Sequence, residues 1–547
     1  MVLPNWDSTM AYTPSLDPAL YAAANSRTDQ QLMDLMAQQA LNPVSTMSAK
    51  PCVALVVGPS PFSMPRGWEF FLTSPYEGVS YIATVLHNAG YPVRIIDVRY
   101  DKAPLESAHR QILDGCDVLG LATYEDCYPF LEQLIREVKH SRPKMPIIAG
   151  GSLVTSVPHV FMHETAIDVA VISEGELTIL EVMEAYCQEA WEVRLPEIRG
   201  IWYRDSRGSV HQNAPRGQMP DLNSLPTMNL DLWPQFNDPR GMQKQIIASY
   251  SRGCKMDCSF CYRTTPQERV KSPEKLNAEL AEYKRKYGID FVFFVDLTFT
   301  AHKKQTLGYL EVIQEHDIRW TCLTRNADVD AEVARHMGTA GCDIALYGVE
   351  SLGAAALKSA RKGSTENLVA KAMKHTWDAG VRYGGLTIVG LPDENDGSLD
   401  HMCDWAETNK HITRVKYLSA MPGTTVYRDS LKSGAIRNEV EHLRWLAVEQ
   451  ALERDEYLNY NQLSDTTMRG AYKRIYDSYQ EGPVMDFQHF PEHFAYYDPE
   501  PTTPWRAEFS SAGGVMDPGA LPYRGLYSSS PGVTLTRVNT GEFTVQV

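Results

Sequence analysis

The sequence predicts an α/β protein with two consecutive parallel-sheet domains and a mainly helical C-terminal region. Three observations support this fold class. Continuous apolar runs such as "CVALVVG" and "FVFFVD" are typical of buried parallel strands. Stretches with helical periodicity, such as "GVSYIATVLHNAG", lie between these runs. The alternation occurs in two blocks, and the proline-rich stretch "MPDLNSLPTMNLDLWPQF" between them indicates a linker.

The first block predicts a doubly wound parallel sheet over residues 51–190. Its strands are "CVALVVG", "YPVRIIDV", "DVLGLAT", "MPIIAGG" and "DVAVIS". Ligands bind such sheets at the carboxyl ends of the strands. Those ends carry "GPSPFS", "TYED", "GGSLVTS" and "SEGE", so we expect a ligand site there.

The second block predicts a partial (β/α)6 barrel over residues 241–430. Its strands are "QIIASYS", "FVFFVD", "IRWTCLT", "CDIALYGV", "YGGLTIVG" and "RVKYLSAM", and barrel sites also lie at the carboxyl ends of strands. The remaining parts are interpreted as an N-terminal extension (1–50), a linker with a hairpin (191–240), and a C-terminal capping region with an irregular tail (431–547).

The composition excludes several classes of partner. The net charge of −16 argues against nonspecific binding to nucleic acid or to anionic membranes. No apolar run reaches the roughly 18 residues of a membrane span. The N-terminus has neither a basic n-region nor an apolar h-region, so we expect a cytoplasmic protein.

Three cysteines, Cys254, Cys258 and Cys261, form a C-x3-C-x2-C motif in "SRGCKMDCSFCYR". In a reducing compartment, clustered cysteines more often bind metal or do redox chemistry than form bridges. A structural zinc site usually needs four ligands, but the next cysteine, Cys322, lies far along the chain in a predicted strand. A 4Fe–4S cubane held by three cysteines would leave one iron open. A chance or purely structural cluster is the remaining alternative.

The motif resembles the signature of the radical S-adenosylmethionine (SAM) superfamily, including the aromatic Phe260 before the last cysteine. In that family the open iron binds SAM, and one electron from the cluster releases a 5′-deoxyadenosyl radical. By this resemblance, Asp296 in "FFVDLTF" meets the SAM amine, or is only a helix N-cap. Arg325 meets the SAM carboxylate, or forms a plain surface ion pair.

Two further strand motifs fit the same resemblance. "YGVES" places Glu350 and Ser351 at the ribose and methionine end of SAM. "LTIVGLP" is similar to the adenine strand and contains Ile388, although the usual acidic partner is displaced to Asp393 or Glu394.

The first domain resembles the Rossmann-like cobalamin-binding domain of the B12-dependent (class B) radical SAM enzymes, whose second domain is a TIM-like barrel. The resemblance rests on "SPYEGVSYIATVLHNAGYPVRIID", "AGGSLVTSVP" and "DVAVISEGELT". Gly150 and Gly151 leave room for a bulky ligand, unless they only form a tight turn. The other residues implied in cobalamin binding are Thr123, Tyr124, Ser152, Thr155, Glu174 and Gly175.

One motif departs from the usual cobalamin signature D-x-H-x-x-G. The corresponding strand ends in "DVRYDK", and Arg99 stands in place of the histidine. We therefore expect no lower axial histidine ligand to cobalt from this position. Arg66 and Trp68 in "PSPFSMPRGWEFF" are candidates for covering the lower face of the corrin.

The resemblance implies a radical SAM methyltransferase that moves a methyl group from SAM, via methylcobalamin, to a small natural-product intermediate. The acceptor is an unactivated carbon or a phosphinate phosphorus, as in antibiotic-pathway P- and C-methyltransferases. An electron donor such as flavodoxin or ferredoxin is implied, and no catalytic residue is assigned. The alternatives are a cobalamin-dependent cyclase or ring-rearranging oxidoreductase without methyl transfer, and a non-catalytic sensor.

Overall fold

The computed structural model describes most of the chain and contains two large sheets, as predicted. Within the described part, no helix is both long and apolar enough to cross a membrane. The described residues are 27–41, 50–59, 74–99, 101, 103–125, 127–237, 244–265, 267–409, 412–451, 457, 459–461, 463–481, 534–537 and 543–546.

The first sheet has seven strands in the order β2-β1-β3-β4-β5-β6-β7, of which the first five are parallel. These five coincide with the predicted runs. The strands are β1 Val53–Val57, β2 Val93–Asp97, β3 Val118–Ala122, β4 Ile147–Gly150, β5 Val169–Val171, β6 Ile201–Arg204 and β7 Val210–Gln212.

The helices of this part follow the predicted alternation, and one further helix precedes β1. They are α1 Arg27–Leu41, α2 Glu77–Asn88, α3 Pro104–Leu113, α4 Tyr128–Ser141, α5 Ser152–Ser156, α6 Pro158–Glu164, α7 Glu176–Cys187 and α8 Trp191–Arg194.

The hairpin expected in the linker extends the first sheet. Strand β6 pairs antiparallel with β5, and β7 pairs with β6. An uncovered edge strand presents unpaired backbone groups, and the hairpin satisfies those of β5. The proline-rich stretch that follows is also packed, because Trp233 is fully buried and its Nε1 donates to Ser80 Oγ at 2.9 Å. Short 3₁₀ turns lie at Leu195–Glu197, Leu222–Ser224, Leu230–Leu232 and Pro234–Phe236.

The second sheet has six parallel strands in the order β15-β14-β13-β12-β11-β8, which is the predicted partial barrel. Beside it lies a short antiparallel pair, β9 with β10. The strands are β8 Gln245–Ala248, β9 Ser251–Arg252, β10 Arg269–Val270, β11 Phe291–Phe294, β12 Arg319–Thr324, β13 Cys342–Glu350, β14 Arg382–Val389 and β15 Ile412–Tyr417.

Helices cover the outside of the barrel and continue into the C-terminal region. They are α9 Pro273–Tyr287, α10 Lys303–Glu315, α11 Ala331–Thr339, α12 Ala354–Ser359, α13 Glu366–Asp378, α14 Asp396–Asn409, α15 Thr425–Ser433, α16 Glu439–Ala451 and α17 Asp465–Glu481, with a 3₁₀ turn at Asn326–Asp328.

The tail, expected to be irregular, contains two short strands, β16 Thr534–Arg537 and β17 Phe543–Gln546, paired antiparallel. The β-branched residues of "TLTR" and "FTVQ" favour strands in both segments.

Candidate functional site

The three motif cysteines lie on one loop between β9 and β10. Cys254 is buried, and Cys258 and Cys261 are half-buried. The loop is anchored through Ser259, whose N–H donates to the Ala360 carbonyl at 3.0 Å. The loop is therefore held against the end of α12, which follows β13 of the barrel.

None of the ten cysteines forms a disulfide. Burial raises the pKa of Cys258, and burial together with the neighbouring Cys258 raises the pKa of Cys261 to about 12. Thiolates at these positions therefore need added positive charge, which the irons of a cluster supply. Among the described residues, no three His, Cys, Asp or Glu side chains converge on a single metal ion. A cubane bonds each cysteine to a different iron, so its ligands need not share one point.

Next to the cysteine loop, Glu350 and Lys362 form a buried ion pair with 2.7 Å between Oε1 and Nζ. The pair lies directly over Gly348, where a Cβ would approach Glu350 Oε1 to 2.5 Å and Lys362 Nζ to 2.6 Å. Burial alone would lower the pKa of Lys362, but Glu350 and the cysteines outweigh it and raise that pKa. The Lys362 Nζ also lies 6.0 Å from the centroid of the Phe260 ring.

Arg325 is buried beside this pair. Its guanidinium contacts Asp328 at 3.3 Å and donates to the Lys362 carbonyl at 3.1 Å. Its Nε has no hydrogen-bond partner among the described residues. One donor is thus left for an added carboxylate, and the structure brings Arg325, Glu350 and Phe260 together at the cluster loop.

Ser351 and Ile388, which were also predicted to contact SAM, make contacts within the protein. The Ser351 hydroxyl donates to Glu394 Oε1 at 2.9 Å, and Glu394 Oε2 accepts from the N–H groups of Gly390 and Leu391. Glu394 therefore ties β13 to the turn after β14. Ile388 is half-buried against the hydrophobic core.

A cavity of about 420 Å³ separates the carboxyl ends of the two sheets. Its walls include Tyr124 and Gly175 from the first sheet, and Ser251, Tyr262 and Asp296 from the barrel. The ring of Tyr124 packs edge-on against Tyr76 with 4.8 Å between centroids.

Glycines open the cavity floor in the first domain. Gly150 lines it, and a Cβ there would meet only Val171, at 3.9 Å. Gly151 has φ +115°, and a Cβ would lie 2.7 Å from the Thr123 carbonyl oxygen. A larger side chain at either position would enter or distort this space, which fits a bulky ligand such as the corrin.

Two of the predicted polar residues support the backbone. Thr123 Oγ1 accepts from Val154 N–H at 3.0 Å and fixes the start of α5. Thr155 Oγ1 accepts from Ser173 N–H at 3.0 Å. Ser152 lines the cavity, and its hydroxyl lies 3.3 Å from the Thr123 carbonyl.

Glu174 belongs to a buried ionic seam between the domains. It pairs with Arg252 at 3.2 Å and with Arg269 at 2.7 Å, and accepts from Met219 N–H at 2.7 Å. Arg252 also pairs with Glu176 at 2.6 Å. Burial alone would raise the pKa of Glu174, but the two arginines outweigh it and hold that pKa below its ordinary value.

Asp296 is buried, and its Oδ1 accepts from Ser251 N–H at 2.7 Å. Its Oδ2 has no hydrogen-bond partner among the described residues, and the side chain lines the cavity. Burial raises the pKa of Asp296 to about 7. The residue is thus not a helix N-cap, because α10 begins only at Lys303.

The position without histidine is filled by a buried ion pair. Arg99 Nε donates to Asp97 Oδ1 at 2.8 Å, and its guanidinium lies 4.4 Å from the Tyr76 ring. Arg66 and Trp68 fall outside the described residues.

Sequence reasoning missed Arg252, Glu176, Tyr262 and Lys362. Arg252 in "SRGC", Glu176 in "SEGE" and Tyr262 in "CYR" each lie beside a motif that the sequence analysis identified. Their charge or aromatic ring, next to those motifs, could have marked them as site residues. Lys362 had no local signal, because only the fold brings it to Glu350.

Comparison with known proteins agrees with this two-part site. The family model of the B12 binding domain matches residues 73–183, and that of the radical SAM superfamily matches residues 248–406. An uncharacterized methyltransferase of Pyrococcus horikoshii is 28% identical over 372 residues, covering 66% of this chain and 80% of the relative.

Two further similar proteins align with different fractions of this chain and of their own length. The anaerobic magnesium-protoporphyrin IX monomethyl ester cyclase of Cereibacter sphaeroides is 23% identical over 61% of this chain, which spans only 56% of that enzyme. The solved structure of the radical SAM methyltransferase TsrM from Kitasatospora setae, with cobalamin and a 4Fe–4S cluster bound, has a TM-score of 0.57 and 16% identity. It covers 71% of this chain and 78% of its own.

The cysteine loop, the glycine-floored cavity and both family models lead to one conclusion. The chain belongs to the B12-dependent radical SAM superfamily, whose cofactors are a 4Fe–4S cluster, SAM and cobalamin.

Proposed function

We propose that the protein is a cobalamin-dependent radical SAM methyltransferase acting on an unactivated carbon or a phosphinate phosphorus of a small natural-product intermediate. The observation that carries the proposal is the cavity at the junction of the two sheets. It lies between the glycine floor of the cobalamin domain and the loop that carries the three cysteines. A methyl carrier and a radical source can both reach an acceptor only at such a junction.

The chain's own residues supply binding and orientation. Cys254, Cys258 and Cys261 hold the cluster, and Arg325 and Glu350 offer opposite charges to the carboxylate and amine of SAM. When bound, the cluster supplies the electron that cleaves SAM, and cobalamin carries the methyl group. Apolar wall residues such as Val79, Ile82 and Val171 keep water away from the acceptor.

Several further roles belong to the same proposal. Gly150, Gly151, Ser152 and Gly175 border the corrin, with Tyr124 at its edge. Thr123, Thr155 and Glu174 keep this border in shape through the contacts described above. Residues 51–190 and 241–430 are the proposed domain limits.

We also propose flavodoxin or ferredoxin as the electron donor and the cytoplasm as the location. The cluster needs a low-potential reductant, and free thiols persist in a reducing compartment.

The test uses full-length protein reconstituted anaerobically with iron, sulfide and hydroxocobalamin, and SAM with a deuterated methyl group. Mass spectrometry is expected to find S-adenosylhomocysteine, 5′-deoxyadenosine and transfer of the label to the corrinoid or an added acceptor. 5′-Deoxyadenosine without S-adenosylhomocysteine would favour a cyclase or oxidoreductase, such as the 23%-identical cyclase. Neither product would indicate a sensor.

A further inference from the structure

Two buried carboxylate residues line the cavity, and each has one oxygen without a hydrogen-bond partner in the described part of the chain. Asp296 is 2% exposed and Glu176 is 4% exposed, and both line the cavity. Within the described part of the chain, neither Asp296 Oδ2 nor Glu176 Oε2 has a hydrogen-bond partner. A buried acceptor without a hydrogen-bond partner is destabilising, so these positions indicate a ligand with hydrogen-bond donors.

The two carboxylates belong to different domains, and the second oxygen of each is bound by one of two adjacent residues, Ser251 and Arg252. Glu176 begins α7 in the cobalamin domain, and its Oε1 is bound by Arg252 at 2.6 Å. Asp296 follows β11 of the barrel, and its Oδ1 is bound by Ser251. A ligand that contacts both must therefore span the seam between the domains.

The surroundings separate this place from the residues expected to hold SAM. Arg325, Glu350 and Ile388 do not line the cavity, whereas Gly150 and Gly151 do. The corrin carries primary carboxamides around its edge, and each offers N–H donors without charge. These are matched partners for buried carboxylate oxygens.

We propose that Asp296 and Glu176 accept hydrogen bonds from carboxamide N–H groups on the edge of the corrin, one from each domain. This assignment moves Asp296 from the SAM amine to cobalamin. It rests on the proposed use of cobalamin but not on methyl transfer. The two carboxylates thereby fix the rotation of the macrocycle within the cavity.

The experiment titrates cobalamin-free, full-length protein with hydroxocobalamin and with its monocarboxylic acids, in which one edge amide is hydrolysed to a carboxylate. Visible spectra report binding. In a buffer well above the Asp296 pKa of about 7, wild type is expected to bind at least one monoacid about tenfold or more weakly than hydroxocobalamin, because two ionised carboxylates then face each other. Asp296→Asn or Glu176→Gln is expected to restore binding of that monoacid to within about threefold of hydroxocobalamin, because an amide can donate to it.

Asp343→Asn is the matched control. Asp343 is a half-buried barrel carboxylate paired with Arg319 and Arg382 and does not line the cavity, so it is expected to keep the wild-type discrimination. Thermal unfolding checks that all variants fold.

Equal binding of all monoacids by wild type, or discrimination that survives both substitutions, would overturn the proposal. So would an Asp296→Asn variant that loses SAM affinity, measured calorimetrically, while its corrinoid binding stays unchanged. The titration measures corrinoid binding and requires no turnover. It therefore tests the role of Asp296 and Glu176 even if the protein transfers no methyl group.

Discussion

At the carboxyl end of β4 in the first sheet (the first rim) the side chains are small, whereas charged side chains cluster at the carboxyl ends of the barrel strands beside the cysteine loop (the second rim). Gly150, Gly151 and Ser152 leave space at the first rim. Arg325, Glu350 and Lys362 cluster at the second, beside the cysteine loop. A neutral, bulky macrocycle is recognised mainly by shape, while a zwitterionic cosubstrate and an anionic cluster need charge. These two rims therefore fit the cofactors proposed for them, cobalamin at the first sheet and the cluster with SAM at the barrel.

The largest expected effect comes from removing the barrel's cysteines. Changing Cys254, Cys258 and Cys261 together to alanine is expected to abolish iron–sulfur absorption and 5′-deoxyadenosine formation, because no other thiols lie on this loop. Cobalamin binding is expected to persist, since the first rim is unchanged. Iron and sulfide analysis with a corrinoid titration checks both parts, and joint loss of both cofactors would contradict the division between the rims.

The seam between the rims offers the next test. Arg252→Met leaves Glu174 and Glu176 without a shared cation, and breaking such a buried pair costs about 3–5 kcal/mol. Chemical denaturation measures the change in the free energy of unfolding. Lys303→Met is the control, because Lys303 forms surface pairs with Asp330 and Glu332 worth about 0–1 kcal/mol. Similar losses in both variants would argue against a stabilising seam.

Shape recognition at the first rim is tested by Gly151→Val. The added side chain meets the Thr123 carbonyl and disturbs the cavity floor, so we expect about a hundredfold weaker binding of hydroxocobalamin with the cluster retained. Gly115→Val is the control, because Gly115 also has positive φ, +80°, but has open space around it. If both variants lost cobalamin equally, backbone strain rather than shape would be responsible.

The smallest effect concerns charge at the second rim. Lys362→Met removes a buried ammonium beside Cys258 and Cys261, so the reduced, more negative cluster loses stabilisation. We expect its midpoint potential to fall by tens of millivolts, on the order of a charge–charge interaction in a partly screened site. Redox titration followed by electron paramagnetic resonance measures the shift. Lys374→Met is the control, because Lys374 is exposed. An unchanged midpoint potential in Lys362→Met would show that the Lys362 ammonium does not stabilise the reduced cluster.

Much of the fold was predictable because its signals are local. The five parallel strands of the first sheet and the six of the barrel coincide with continuous apolar runs. The edge hairpin was recognised but was placed in the linker, because strand pairing depends on which edge is open. The C-terminal strand pair was missed, since each strand has only four residues and the preceding segment is rich in Ser, Gly and Pro.

The site divides in the same way. The cysteine motif and Glu350 lie in contiguous signals, whereas Glu174 and Arg252 lie far apart in the chain and meet only in the seam. From the sequence, Asp296 is interpreted either as a SAM contact or as a helix N-cap. Its position in the cavity adds a third interpretation, a contact to the corrin.

By itself, the sequence determined the two parallel-sheet domains and the cluster loop, because apolar runs and cysteine spacing act over a few residues. The expectation of cobalamin came from the resemblance of the first domain to a known family. Only the tertiary structure decided the cavity, the ionic seam and the two buried carboxylates, Asp296 and Glu176, that line the cavity. Those features depend on distances between residues remote in sequence, and long-range packing of two sheets alone sets such distances.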